Sequence, residues 1–189
     1  MPRQLLVEIK MLNEILIAGF GGQGIVTLGK LIAYAGMLEG REVSCWARYG
    51  AEMRGGTAQC TVILSSEVID SPVINTFNTL VAMNQPSLIR FEENLKPQGQ
   101  LIWNRSVIFK EPERNDVEQF GIDATSTAKE LGNPRMANIV FFGCISRITD
   151  LFSLDSASEA LKKRFTKITP DALRQNQLAL QKGAELVDH

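Results

Sequence analysis

The feature that most constrains this chain is a glycine pattern set between two apolar segments: Gly19, Gly21 and Gly24 stand in GFGGQG, directly after the short apolar run EILIA and directly before IVTLGKLIAYAGMLEG. An apolar run of that length followed by glycines reads as a strand entering a tight turn, and the segment after it carries helical spacing. Ile25, Leu28, Leu31, Ile32, Ala35 and Leu38 fall on one face of that helix, and Gly40 supplies its stop. A strand, glycine turn and helix in this order bring backbone N–H groups and a helix N-terminus toward an anion, typically a pyrophosphate. Two readings stay open: Gly19, Gly21, Gly22, Gln23 and Gly24 cradle a phosphate, or the glycines only permit a tight strand-to-helix crossing.

The segments that follow sustain an α/β alternation. Val43 to Ala47 reads as a second strand that would return beside the first and complete a βαβ unit. Arg48 to Gly56 reads as a loop. Thr57 to Leu64 alternates as a strand with one drier face, formed by Ala58, Cys60, Val62 and Leu64. Thr79 to Met83 is expected as a buried strand, Pro86 to Leu95 as a short helix and Gly99 to Trp103 as another strand. Lys110 to Gln119 is the most polar stretch and belongs on the surface. Met136 to Ile148 is apolar nearly all round, so it reads as a buried helix that could also face a partner chain. Thr169 as cap and Pro170 at the first helical position open a C-terminal amphipathic helix expected over 170–188. No linker or repeat divides the 189 residues, so one domain is expected over 1–189, with residues 1–10 ahead of Met11 a suspected N-terminal extension.

A NAD site would want an acid at the end of the second strand, where Ala47-Arg48 stands instead. Arg48 could meet an extra phosphate, such as that of NADP or coenzyme A. Arg54-Gly55-Gly56 sets a forked guanidinium beside two residues that let backbone approach a ligand, suiting a carboxylate or phosphate clamp, although an arginine held by a neighbouring subunit or by solvent is the favoured reading. Trp46 and Tyr49 could flank the same surface, and core packing explains Trp46 as well.

Other chemistry is hard to assemble. The single histidine is the terminal His189, so no Ser-His or Cys-His dyad can form in the body of the chain and no catalytic residue is assigned. Cys45, Cys60 and Cys144 lie far apart in apolar or alternating runs, which suits buried thiols in a reducing compartment and no metal or iron–sulfur site. Lysine plus arginine total 20 against 21 acids, a net charge of −1 that offers no footprint for nucleic acid or an anionic membrane. No signal core and no apolar run near the ~20 residues of a spanning helix is present, so the expected location is cytoplasmic.

Taken together, GFGGQGIVTLGKLIAYAG, YGAEMRGGTAQCTVILSSEVIDSPVI and LVAMNQPS resemble the gamma subunit of 2-oxoacid:ferredoxin oxidoreductases, from about Ile15 to Leu88 with a weaker echo at Asn138 to Gly143. The resemblance implies a Rossmann-like, mostly parallel sheet flanked by helices. It implies alpha and beta partner subunits and a ferredoxin-type subunit or ferredoxin, with thiamine diphosphate, magnesium and an iron–sulfur cluster on those partners. The assembly would decarboxylate a 2-oxoacid, pass the acyl group to coenzyme A and send electrons to ferredoxin. The chain would not be active alone. The short length and the RYGAEMRGG segment resemble 2-oxoglutarate-type subunits, although Arg48 stands where a serine is expected, so pyruvate and branched-chain 2-oxoacids stay open. Coenzyme A could be held at a shared site by the glycine turn and the Arg48 to Gly56 loop. An independent NADP- or nucleotide-binding reductase and a purely structural assembly subunit are the competing readings, and the isolated chain could form a homodimer through a surface meant for its partners.

Overall fold

The computed structural model describes residues 11–50 and 56–187. Strand β1 (Leu12–Phe20) is followed by helix α1 (Ile25–Leu38), strands β2 (Glu42–Tyr49), β3 (Thr57–Ser65) and β4 (Phe77–Ala82), and helix α2 (Gln85–Phe91). Then come β5 (Leu95–Asn104), β6 (Glu118–Ile122), α3 (Ala124–Glu130), α4 (Ala137–Ile148), α5 (Leu154–Arg164) and α6 (Pro170–Glu185). The six strands form one sheet in the order β2-β3-β1-β4-β5-β6. β1, β4, β5 and β6 pair in parallel, while β3 runs antiparallel to both β1 and β2. Only β3 is reversed, so the expected mostly parallel α/β sheet is present.

The second strand does not return beside the first. β2 pairs with β3 as a hairpin, Cys45 opposite Val62 and Ala47 opposite Cys60, and β3 takes the place next to β1. The physical reason is the short connection: joining parallel neighbours takes a crossover of about a dozen residues or more, and the few residues between Tyr49 and Thr57 allow only an antiparallel return. Arg48 and Tyr49 therefore belong to β2 and not to the loop. At the expected Pro86–Leu95 helix, α2 ends at Phe91, a single 3-10 turn spans Glu92–Asn94, and Leu95 already begins β5. The polar stretch after Lys110 runs into β6 from Glu118.

The two faces of the sheet are covered unequally. On one face Ile15 and Ile17 of β1, Cys60, Val62 and Leu64 of β3, Val81 and Ile102 pack against α1, α3, α4, α5 and α6 in one continuous core. On the other, Leu16, Leu80, Leu101 and Trp103 are covered by Leu88 of α2 and Ile108. That cover leaves the β2 end bare: Trp46 is 39% exposed there, with the Arg48 guanidinium 4.4 Å from its ring centroid. Core packing is thus excluded for Trp46.

The helical layer is dense because its interfaces are built from small residues. Every residue of α4 except Arg147 is buried, including Phe141 and Phe142 at 0% exposure. Its apolar faces are consumed inside the chain, which removes the motive for a partner there. α4 and α6 touch backbone to backbone: a Cβ on Gly143 would stand 1.9 Å from the Leu180 carbonyl oxygen, and one on Gly183 would stand 2.0 Å from that of Val140. Hydrogen and nothing larger fits at either point. The first helix buries Ile25, Leu28, Leu31, Ile32 and Ala35 as its spacing predicts, while Leu38 is exposed. The C-terminal helix begins as expected, with the Thr169 hydroxyl accepting the Ala172 N–H at 3.2 Å and Pro170 at the first position. It ends at Glu185. No helix among the described residues is long and apolar enough to cross a membrane. Residues 1–10 lie outside the described residues.

Candidate ligand-binding cleft

The parallel strands all present their C-terminal ends at one edge of the sheet, the place where open α/β sheets bind ligands. The glycine turn lies there. Gly22 (φ 97°) and Gly24 (φ 77°) adopt the left-handed conformation that costs other residues energy. Gly24 has a second reason to lack a side chain, since a Cβ would lie 2.4 Å from Nδ2 of Asn138, which donates toward the Gly24 carbonyl at 3.4 Å. Gly19 sits inside β1, pressed by Ile25 and by Gln23.

Gln23 braces the turn. Its side-chain oxygen accepts the Phe20 N–H at 2.7 Å and Nδ2 of Asn84 at 3.0 Å, and its Nε2 donates to the Met83 carbonyl at 3.1 Å. The amide group thereby ties the end of β1 to the end of β4, the Gln23 N–H is spent on the Phe20 carbonyl at 3.2 Å, and Gly22 is the turn glycine that lines the neighbouring cleft. The Gly21 N–H donates to the Gly56 carbonyl at 3.0 Å, so the end of the hairpin connection rests on the glycine turn. Arg54 and Gly55 lie outside the described residues. Arg48 does not join the turn: its guanidinium stacks on Trp46 and lines a separate cleft on the bare sheet face with Leu16, Gln59 and Thr61.

A cleft of about 230 Å³ opens beside the turn, lined by Gly22, Gln23, Met83, Asn104, Thr125 and Arg135 among others. Asn104 ends β5, is 0% exposed, and donates from Nδ2 to the Thr125 hydroxyl at 2.9 Å. Its Oδ1 is buried without a partner. An orphaned buried acceptor is costly, so an oxygen left open at a cleft is an offer to a donor on a ligand or water. Arg135 follows Asn133, whose side chain accepts the Arg135 N–H at 3.1 Å and opens a short 3-10 turn over Pro134–Met136. That turn sets an exposed arginine at the cleft that Gly22 also lines.

Sequence reasoning missed Asn104, Thr125, Arg135 and Asn138. The local signals were Asn133-Pro134, a cap-and-turn pair at the head of the buried helix, and the echo that begins at Asn138. Among the described residues the cleft offers the Gly22 backbone, the Arg135 guanidinium, the Asn104 amide oxygen and the Thr125 hydroxyl, a set that can bind and orient an anionic ligand. Among the described residues it brings together no nucleophile with an adjacent base, and His189 lies outside the described residues. Among the described residues no group of three or more His, Cys, Asp or Glu could hold a metal ion.

Comparison with known proteins gives the family of the chain. Residues 14–186 match the family Pyruvate ferredoxin/flavodoxin oxidoreductase. The chain is 34% identical to the 2-oxoglutarate synthase subunit KorC of Methanothermobacter marburgensis, over 94% of this chain and 97% of that one. It is 36% identical to the ketoisovalerate oxidoreductase subunit VorA of Methanothermobacter thermautotrophicus, over 89% of this chain but 35% of that protein. Among solved structures, the 2-oxoglutarate:ferredoxin oxidoreductase of Magnetococcus marinus, with 2-oxoglutarate, coenzyme A and succinyl-CoA bound, superposes with a TM-score of 0.86 at 30% identity, over 94% of this chain and 31% of that one. The keto/oxoacid ferredoxin oxidoreductase gamma subunit of Geobacter sulfurreducens superposes with a TM-score of 0.78 at 26% identity, over 93% and 98%. The chain thus spans about a third of the length of the VorA and Magnetococcus proteins and nearly the whole of the KorC and Geobacter ones. With a match across almost its entire length, the chain belongs to the pyruvate ferredoxin/flavodoxin oxidoreductase family.

Proposed function

We propose that the chain is the gamma subunit of a 2-oxoacid:ferredoxin oxidoreductase, and that its cleft contributes part of the coenzyme A seat. The single observation that carries this reading is the cleft itself: a braced glycine turn facing Arg135 and the unpartnered Asn104 oxygen, at the ligand-binding edge of a chain that superposes on a coenzyme A-bound relative. Coenzyme A carries a pyrophosphate, a ribose phosphate and an amide-rich arm. The glycine-turn backbone and Arg135 suit the phosphates, and Asn104 Oδ1 suits an N–H donor.

The catalytic work falls to partner subunits. Thiamine diphosphate with magnesium would decarboxylate the 2-oxoacid, and an iron–sulfur cluster would carry electrons to ferredoxin. This chain's own part is to bind and orient the acyl acceptor. 2-Oxoglutarate is the favoured substrate, supported by the 34% identity to a 2-oxoglutarate synthase subunit along nearly the whole of both chains. The reductase reading loses its support at Arg48, whose guanidinium rests on Trp46 away from the glycine turn.

An Arg135→Ala variant of the assembled enzyme tests the seat. A charge-assisted hydrogen bond is worth about 1.5–3 kcal/mol, so KM for coenzyme A should rise roughly tenfold or more while KM for the 2-oxoacid holds. An unchanged coenzyme A KM would remove Arg135 from the seat.

A further inference from the structure

Two cysteines that are far apart in the sequence meet across the β2–β3 hairpin. Cys45 is on the edge strand and exposed; Cys60 is fully buried on the adjacent strand. Both point to the helix-covered side, where the Cys60 sulfur packs on Gly29 of α1, and the two sulfurs lie 3.6 Å apart. This corrects the expectation that all three cysteines are buried and separate. Lys30 of α1 is the cation whose charge bears on both sulfurs.

We propose that this pair is a site of reversible oxidation, in which a hydroperoxide oxidises Cys45 and Cys60 resolves the product into a cross-strand disulfide. The exposed sulfur is the one a peroxide can reach, and the buried one is already in contact with it. The Cys60 thiol donating to Cys45 sulfur, and then the Lys30 charge, favour the Cys45 thiolate against the opposing effect of burial. The same hydrogen bond, with burial, keeps the Cys60 proton in place. The two sulfurs therefore divide into attacking and resolving roles.

In the first step the Cys45 thiolate attacks the nearer peroxide oxygen. The S–O bond forms as the O–O bond breaks, and the departing oxygen leaves as water or an alcohol after protonation. In the second step the Cys60 sulfur displaces the sulfenic oxygen, the S–S bond forms, and water leaves. Two thiols lose two electrons and two protons, and one hydroperoxide is reduced. The cysteines are diagonal neighbours in the register, and closing to a disulfide length of about 2.05 Å draws β2 toward β3. β2 can make that movement because it is an edge strand with β3 as its one neighbour. The bond would clamp the hairpin on both sides of the connection that ends at Gly56.

The test uses the reduced full chain, titrated with hydrogen peroxide, alkylated under denaturing conditions and digested without reductant for mass spectrometry. The expected product is a Cys45–Cys60 linked peptide pair that dithiothreitol separates. Cys144 should stay alkylatable, since burial pushes its thiol up to about 12 and its Sγ donates to the Gly183 carbonyl. In Cys60→Ala, dimedone should trap a sulfenic acid on Cys45. In Cys45→Ala, an exposed-site change that leaves the core intact, Cys60 should survive peroxide as a free thiol. Alkylation of both cysteines after peroxide would overturn the proposal. So would a Cys45–Cys45 link between chains as the main product, or oxidation of Cys60 in Cys45→Ala at the original rate.

Discussion

The α4–α6 contact and the β2–β3 hairpin are opposite solutions to packing in one small chain. At the first, two glycines let helix backbones touch, and Val140, Leu180 and Ala184 beside them are buried. At the second, one strand has a neighbour on one side only, its aromatic residues face outward, and its connection leans on the glycine turn through one hydrogen bond. Burial is concentrated at the helix seam, while exposed aromatic residues and the exposed cysteine lie on the edge strand. Local opening is expected to be easier at such an edge than in the packed seam.

The contrast can be broken most easily at Gly183. An alanine there would drive a methyl into the Val140 carbonyl, and because the obstacle is backbone, the helices must part. Gly183→Ala should cost at least about 4 kcal/mol, in the exceptional range for a single substitution, read as a collapse of the urea midpoint or failure to fold. At the other extreme, Trp46→Ala removes a half-exposed ring and its contact with Arg48. Its cost should stay near about 1 kcal/mol, the scale of an exposed cation–π contact plus partial burial, in the same urea titration. A Trp46 cost as large as that at Gly183 would end the distinction between the two regions.

The smallest effect is at the joint between α1 and α5. Glu39, just past α1, accepts the Ser153 N–H and the Ser153 hydroxyl, each at 2.9 Å, where Ser153 caps α5. The Ser153 backbone N–H above all, with the Ser156 and Ser153 side chains, holds its carboxyl below the ordinary value of 4.5. A depressed carboxylate stabilises the fold above its unfolded pKa, and that contribution is lost as pH falls through the folded one. Glu39→Gln should therefore lower Tm slightly near neutrality, with the gap to the unaltered protein closing below about pH 4.5. A gap that does not narrow as pH falls would assign Glu39 a role other than its charge.

How much of this was legible depended on whether the signal was local. β1, the glycine turn and α1 could be read directly, because apolar run, glycines and helical spacing are consecutive. β3 could be read from the alternation of Ala58, Cys60, Val62 and Leu64. The place of β2 was legible only through the length of its connection to β3, which competes with the habit of expecting a βαβ return. α5 was missed because its buried face is Ala157, Ala160 and Leu161, too small to announce a period. β6 was missed because it is short and begins inside the polar stretch. The cleft was half visible: the glycines declare themselves, whereas Arg135 and Asn104 arrive from distant elements, and nothing beside them in sequence points to Gly22. The Cys45–Cys60 contact was hidden by the same mistaken position of β2.

The most direct test of the central claim is to purify the chain from its native host under anaerobic conditions with a mild affinity tag and identify what accompanies it. Thiamine-binding and cluster-bearing chains in fixed proportion, with coenzyme A-dependent 2-oxoacid oxidation that reduces ferredoxin, are the predicted result. A protein that emerges alone and binds NADP would contradict it.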